Sequence, residues 1–152
     1  MHETPDRIEK RVHLKAPRSK VWRAISDSKE FGAWFGVALT TPFAVGKTCS
    51  GHITEPAGYE HLIADFEITA IEPERYFAYR WHPYAIDPKV DYSNEPTTLV
   101  EFTLSDEGTG TLLVIVETGF SKIPAARRVD AFRMNDAGWT EQGERVARYV
   151  EK

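Results

Sequence analysis

Residues 97–120, TTLVEFTLSDEGTGTLLVIVETGF, contain the clearest predicted β-hairpin of the sequence. In its first half, Val100, Phe102 and Leu104 alternate with polar residues, as in a strand that buries one face. The run SDEGTG then supplies residues that are typical of a turn, and a second apolar run follows it. Two half-buried strands joined by a short connection indicate an antiparallel sheet.

The strands that precede this hairpin carry aromatic side chains on one parity. Residues 61–83, HLIADFEITAIEPERYFAYRWHP, contain two predicted strands with a tight turn at EPER, and TCSGHITE (48–55) predicts another strand. Because successive side chains of a strand point to opposite faces, residues two apart share a face. The aromatic residues expected to face the interior on this basis include Phe66, Tyr79 and Trp81.

One further strand and two short helices are predicted before these strands. RIEKRVHL (7–14) alternates in part and predicts the first strand. In APRSKVWRAIS (16–26), Pro17 suits a helix N-terminus and the apolar residues recur on one helical face. Asp27 and Ser28 then offer a cap for a second short helix.

The second short helix carries an unusual concentration of rings. Phe31, Trp34 and Phe35 lie close together with only glycine and alanine between and after them. Exposed aromatic clusters of this kind are uncommon, because large apolar side chains favour burial. We therefore expect these rings either to plug the core or to form the rim of a cavity.

From about residue 124 to residue 152 the apolar pattern changes to a helical period. The recurring residues are Val129, Phe132, Trp139, Val146 and Val150. Gly138 and Gly143 within this helix each cost about 1 kcal/mol relative to alanine. A glycine in a helix either lets the backbone approach a sheet closely or leaves room, and we expect both of these glycines to leave volume beside the sheet. We expect Trp139 to be the central buried contact of the helix.

The composition argues against several classes of protein. The chain has 152 residues and a net charge of −4, with basic residues scattered among acidic ones, which argues against a nucleic-acid partner. Its single cysteine, Cys49, excludes a disulfide within the chain and a cysteine-based metal site. No apolar run approaches the roughly 20 residues of a membrane span, and the polar N-terminus lacks the features of a signal peptide. We therefore expect one domain over residues 1–152, located in the cytoplasm.

The order of these elements resembles the START/Bet v 1-like superfamily and, within it, the family named for the C-terminal domain of the activator of Hsp90 ATPase. The resemblance extends over about residues 7–151, and its carriers are APRSKVWRAIS, IEPERYFAYRW, the pair VEFTL and GTGTLLVIVETGF, and NDAGWTEQGERVARYV. It implies an α+β helix-grip fold, in which a curved antiparallel sheet wraps around the long C-terminal helix and two short helices follow the first strand. In that family the gap between sheet and helix is often a cavity for an apolar ligand.

Aromatic residues and one carboxylate are the candidates for lining such a cavity. Tyrosine and tryptophan combine an apolar body with a hydrogen-bonding tip, which suits a site that orients an amphipathic ligand. Glu117 is the most informative polar residue, because it lies in LLVIVETGF, a strand that is apolar on both faces. We expect its carboxylate to be enclosed and balanced by a hydrogen-bond donor from another element. The predicted ligand-binding residues are Trp34, Phe35, Phe66, Tyr79, Trp81, Glu117 and Trp139.

Three functions are consistent with this pattern. The first is binding of a hydrophobic or amphipathic small molecule in the internal cavity, with the proline-containing residues 82–96 as its gate. The second is interaction with a chaperone such as Hsp90, which the family resemblance suggests. The third is an enzyme that uses the cavity for acid–base chemistry, with Glu117 as the candidate acid or base. The sequence leaves open whether the protein is a monomer or a homodimer.

Motifs for other kinds of chemistry are missing from the sequence. His52, His61 and His82 do not have the spacing of metal ligands, and no HExxH motif occurs. There is no GxSxG nucleophile elbow, and the run GTGTLL lies in a predicted hairpin instead of preceding a helix. We therefore expect no metal and no cofactor.

Overall fold

The structure of the protein is a computed structural model that describes residues 5–55, 57–87 and 89–152. In these residues the chain forms β1 (Arg7–Leu14), α1 (Arg18–Ser26), α2 (Ser28–Phe35), β2 (Val37–Leu39), β3 (Thr48–Ile53), β4 (Ile63–Glu72), β5 (Tyr76–Trp81), β6 (Thr98–Glu107), β7 (Gly110–Thr118), a turn of 3-10 helix (Phe120–Lys122) and α3 (Ala125–Val150). The strands form one curved antiparallel sheet in the order β1-β7-β6-β5-β4-β3-β2. The predicted α+β helix-grip fold is confirmed.

The hairpin of residues 97–120 is formed by β6 and β7, and its turn is tighter than the sequence predicts. β6 continues through Glu107, which pairs with Gly110 at the start of β7, so most of SDEGTG belongs to the strands. Gly108 makes the turn with a φ of 60°. A Cβ added to Gly110 would lie 2.3 Å from the backbone oxygen of Leu14, so the pairing of β7 with β1 requires glycine at this position.

The two short helices meet at Asp27, as the sequence predicts. The Oδ1 atom of Asp27 accepts hydrogen bonds from the backbone N–H groups of Lys29 and Glu30, at 3.0 and 3.1 Å. These bonds satisfy two of the free N–H groups that every helix has at its start. α2 ends at Gly36, whose φ of 95° is typical of a left-handed helix cap.

The ring cluster of α2 belongs mainly to the core. Phe31 is fully buried, and its ring centroid lies 4.9 Å from those of both Trp34 and Phe35. The indole N–H of Trp34 donates a hydrogen bond to the backbone oxygen of Ala24 at 2.8 Å, which satisfies its polar atom. Phe31 and Trp34 therefore plug the core, whereas Phe35, with 8% of its surface exposed, lies at the edge of the cluster.

The long helix α3 packs along the sheet through a buried stripe. Trp139, Val146 and Val150 are each at most 2% exposed, which confirms the predicted helical face and the burial of Trp139. The prediction is wrong at Val129, which is 50% exposed and lies outside the stripe. None of the described helices has the length and apolar character needed to cross a membrane.

The two glycines of α3 have different environments. A Cβ added to Gly143 would lie 3.1 Å from the Cγ2 atom of Val12, so this glycine lets the helix approach β1. The expectation that Gly143 leaves volume is therefore wrong. A Cβ added to Gly138 would have no described atom within 4 Å apart from its own helix and neighbours, so Gly138 does border open space.

Candidate functional site

A buried carboxylate lies where the sheet meets α3. The side chain of Glu117 is fully buried. Its Oε1 accepts a hydrogen bond from the indole N–H of Trp139 at 2.8 Å, and its Oε2 accepts one from that of Trp81 at 2.7 Å. The hydroxyl of Thr98 donates to Oε2 at 2.5 Å, and the side-chain amide of Asn135 donates to both oxygens at 2.9 and 3.1 Å. We call these five residues the Glu117 network.

The register of the strands brings the sheet residues of this network together. Val100 of β6 pairs with Glu117 of β7 on one side and with Tyr79 of β5 on the other. Thr98, two residues before Val100, pairs with Trp81 and shares the same face of the sheet. Thr98, on the strand next to β7, is therefore a diagonal neighbour of Glu117, and Trp81, one strand further away, reaches the carboxylate through its long side chain.

The Glu117 network stabilises the carboxylate with neutral donors. None of the ion pairs within the described part of the chain includes Glu117. A hydrogen bond to a charged group contributes about 1.5–3 kcal/mol, so several such bonds can replace the water that burial removes. The prediction that Glu117 is enclosed and balanced by donors from other elements is confirmed.

Three aromatic rings, which we call the ring triad, lie beside the network. The centroids of Phe35, Trp81 and Trp139 are separated by 5.9, 6.0 and 5.8 Å. Phe66 and Tyr79 are fully buried and pack against Trp81, with centroids at 5.7 and 5.2 Å. The structure thus brings most of the predicted site residues into contact with one another, and Trp34 lies in the core beneath Phe35.

Trp81 borders two open spaces. The larger one, which we call the outer groove, has a volume of about 500 Å³ and lies between β4 and residues 82–87 and 90–93. The smaller one, the ring pocket, has a volume of about 90 Å³ and lies between α3 and the ring triad. Besides the triad, Met134, Asn135, Gly138 and Gln142 line the ring pocket.

The position of Glu117 constrains an acid–base role. Glu117 is not among the residues that line the outer groove or the ring pocket. Both of its oxygens already accept hydrogen bonds from the network. To act as an acid or base, the carboxylate would have to exchange one of these donors for a substrate.

Arg127, in the first turn of α3, holds the segment that forms one wall of the outer groove. Its Nε and Nη2 atoms donate to Oε1 of Glu95 at 3.0 and 2.9 Å, and its Nη1 atom donates to the backbone oxygen of Tyr84 at 3.1 Å. Its guanidinium carbon also lies 4.7 Å from the ring centroid of Tyr92. These contacts join Tyr84, Tyr92 and Glu95, which lie in the segment that the sequence predicts as a gate, to the long helix.

The hydroxyl of Tyr79 is buried and has no hydrogen-bond partner in the described residues. Burial, with a smaller contribution from the negative charge of Glu117, raises the pKa of Tyr79 well above its usual value. The phenol therefore stays neutral in the folded protein. An unsatisfied buried polar group of this kind costs about 1–3 kcal/mol.

We expect the substitution Tyr79→Phe to raise the free energy of unfolding by about 1 kcal/mol at neutral pH, because it removes this hydroxyl. The unfolded tyrosine ionises near pH 10 whereas the folded one does not. The parent should therefore lose stability as the pH rises above about 10, and the variant should lose less. Urea denaturation at neutral pH and at about pH 10.5 measures both effects. Tyr59→Phe, at an exposed tyrosine, is the control, and a destabilised Tyr79→Phe protein would show that the hydroxyl has a partner.

Several polar residues of this region are not predicted from the sequence. Thr98 and Asn135 belong to the Glu117 network, Gln142 lines the ring pocket and Arg127 holds the groove wall. The spacing of Asn135 and Trp139, four residues apart on one helix face, is a signal that could have found Asn135. The other three depend on strand register or on contacts between distant segments.

A family model covers most of the chain. The model described as "Activator of Hsp90 ATPase homolog 1-like protein" matches residues 15–151. This range includes both short helices, the strands β2 to β7 and the long helix. Among curated proteins, no sequence matches the chain.

Solved structures share the fold. DynU16, a protein of the dynemicin biosynthetic locus, superposes with a TM-score of 0.74 at 24% identity, over 98% of this chain and 48% of DynU16. Protein MLL2253 from Mesorhizobium loti superposes with a TM-score of 0.73 at 24% identity, over 95% of this chain and 96% of that one. The Aha1 dimer from Colwellia psychrerythraea gives 0.72 at 15% identity, over 95% and 96% of the two chains. This chain thus spans about half the length of DynU16 and nearly all of the other two.

Proposed function

Because the chain belongs to the family of activator of Hsp90 ATPase homolog 1-like proteins, whose fold typically binds small ligands in a cavity, we propose that it binds a hydrophobic or amphipathic small molecule. The observation that carries this proposal is the outer groove. Its volume of about 500 Å³ falls within the range of about 300–1,000 Å³ that is usual for small-molecule sites.

The lining of the outer groove suits a ligand with an apolar body and a few polar groups. Leu62, Tyr84 and Ile86 supply apolar surface, while His61 and His82 supply groups that form hydrogen bonds. Burial of apolar ligand surface contributes about 25 cal/mol per Å². An amphipathic molecule therefore gains more from this groove than a purely polar one.

Trp81 offers the ligand a ring of fixed orientation. Its indole N–H is held by Glu117, and its ring packs against Phe66 and Tyr79. A preorganised wall lowers the entropy cost of binding, because the side chain loses little freedom when a ligand arrives. In this proposal Trp81 contacts the ligand in the outer groove, and Phe35 and Trp139 contact it where it extends into the ring pocket. Glu117 orients the two indoles, and Trp34, Phe66 and Tyr79 support them from the core.

The proposed function also concerns the location and the oligomeric state of the protein. We place the protein in the cytoplasm as a single domain, in keeping with its one cysteine, which is buried and free. Its partner is the small molecule, and it acts as a monomer or a homodimer. The structure from Colwellia psychrerythraea is described as a dimer. The ligand-binding experiment should therefore include a measurement of the oligomeric state of this protein.

We expect the net-neutral amphipath dodecyldimethylamine oxide, below its micelle concentration, to quench tryptophan fluorescence saturably. Ile86→Asp should weaken this binding by about tenfold or more, because burial of an aliphatic side chain contributes about 1.5–3 kcal/mol. Val45→Asp, at an exposed apolar residue that does not line the groove, is the matched control and should bind normally. If amphipaths of different chain length produce no saturable change, the proposed function is wrong and the chaperone alternative gains support.

A further inference from the structure

We propose that the ring pocket binds an ammonium group, so that the ligand of this protein is a cationic amphipath. The inference rests on the proposed function, because it concerns the polar end of the same ligand. The ring pocket has a volume of about 90 Å³, about that of three water molecules in the liquid. It therefore has room for a small head group but not for the apolar body of a ligand.

Three aromatic rings line the ring pocket. Phe35, Trp81 and Trp139 all line it, and aromatic faces attract cations through their quadrupole. The N–H edge is the most positive part of an indole, and in both tryptophans it is directed to Glu117. The pocket therefore meets the remaining parts of these rings. None of the residues that line the ring pocket carries a positive charge.

A negative charge lies one side chain away from the ring pocket. Asn135 lines the pocket and donates hydrogen bonds to both oxygens of Glu117. The ion pairs of the described residues do not include this carboxylate, so neutral dipoles alone stabilise it. Inside a protein the low effective dielectric strengthens the field of such a charge. That field favours a cation in the pocket and disfavours an anion.

An acceptor without a donor lies beside the same pocket. The side-chain N–H of Gln142 donates to the backbone oxygen of Phe35 at 2.9 Å, which fixes the orientation of the amide. Its Oε1 atom is then buried and has no hydrogen-bond partner in the described part of the chain. The partial negative charge of this unpaired oxygen, on a residue that lines the ring pocket, also favours a cation there over an anion.

Gly138 keeps the ring pocket open and provides a clean test. No described atom outside its own helix and neighbours lies within 4 Å of a Cβ added there. The substitution Gly138→Leu should fill the pocket while improving helix propensity, so the protein is expected to fold. Ala137→Leu adds a side chain of the same size at the adjacent exposed position and is the matched control.

The experiment compares three probes with the same dodecyl chain, each below its micelle concentration, by isothermal titration calorimetry. They are dodecyltrimethylammonium, the net-neutral dodecyldimethylamine oxide and the anion laurate. We expect the cation to bind at least about tenfold more tightly than the neutral probe, and laurate to bind most weakly. In Gly138→Leu the affinity for the cation should fall to that for the neutral probe. In Ala137→Leu the cation should still bind more tightly than the neutral probe.

The outcomes separate this inference from the proposed function. If the cation and the neutral probe bind equally well to the parent, the ring pocket does not select a cation, although the groove still binds amphipaths. If the cation keeps its advantage in Gly138→Leu and loses it at high salt, the preference comes from the net negative charge of the surface, and the inference is wrong. If none of the three probes binds, the proposed function fails and this inference fails with it.

Discussion

Replacing Trp139 by alanine is expected to lower the free energy of unfolding by about 3–5 kcal/mol, the range for truncation of a large buried aromatic residue. Trp139 is 2% exposed and packs against Phe35, Trp81 and Phe102 at centroid distances of 6.0, 5.8 and 5.8 Å. The change leaves a cavity between α3 and the sheet and removes one donor from Glu117. Urea denaturation followed by circular dichroism measures the loss without relying on the tryptophan signal.

A second variant separates packing from hydrogen bonding. Trp139→Phe keeps much of the ring volume but loses the N–H that donates to Glu117 at 2.8 Å. We expect it to cost about 1–3 kcal/mol, the range for a buried polar group that loses a bond. A denaturation midpoint of Trp139→Ala equal to that of the parent would show that Trp139 does not join the helix to the sheet.

The burial of Trp139 is predictable from sequence because it needs only one helical period. The same holds for the strand of Tyr79 and Trp81, where parity alone places both rings on the interior face. Periodicity of this kind depends on the backbone geometry of a single helix or strand. It can therefore be recognised without knowing how the other elements pack. For that reason the order of elements and most of the core follow from the chain itself.

The contacts of Glu117 are not predictable in this way. They depend on the register that aligns Val100 with both Glu117 and Tyr79, and register is set jointly by all the neighbouring strands. The strand β2, at Val37–Leu39, has only three residues, which is too short to show a period. The helical pattern of α3 does not distinguish Gly143 from Gly138. Only the distance to β1 shows that Gly143 packs closely, whereas Gly138 borders open space.

The Glu117 network links the stability of the fold to the orientation of the proposed binding surface. Its donors come from β5, β6 and α3, so the same bonds that hold the helix to the sheet also fix the indoles of Trp81 and Trp139. A buried polar network is favourable only when every member is satisfied. The position of each tryptophan in the ring triad is therefore determined by a residue that does not line either open space.

Glu117→Gln is expected to lower the free energy of unfolding by at least about 1–3 kcal/mol, because it takes an acceptor away from hydrogen-bond donors that are themselves buried. The amide has nearly the same shape, but one carboxylate oxygen becomes an NH₂ group that faces other donors. Each buried donor left without an acceptor costs about 1–3 kcal/mol. Glu67→Gln, at an exposed carboxylate of β4, is the matched control and should change stability by less than about 0.5 kcal/mol.

A double-mutant cycle tests whether the cost of Glu117→Gln arises from the network itself. In the Trp139→Phe background one donor to the carboxylate is already missing, so Glu117→Gln should cost less there than in the parent. We expect a coupling of about 0.5–3 kcal/mol between the two positions, the range for residues in direct contact. Additive losses would mean that the indole of Trp139 and the carboxylate act independently, and the network could then not account for the fixed orientation of the ring triad. Coupled losses would indicate that the carboxylate positions the tryptophan as well as stabilising the fold.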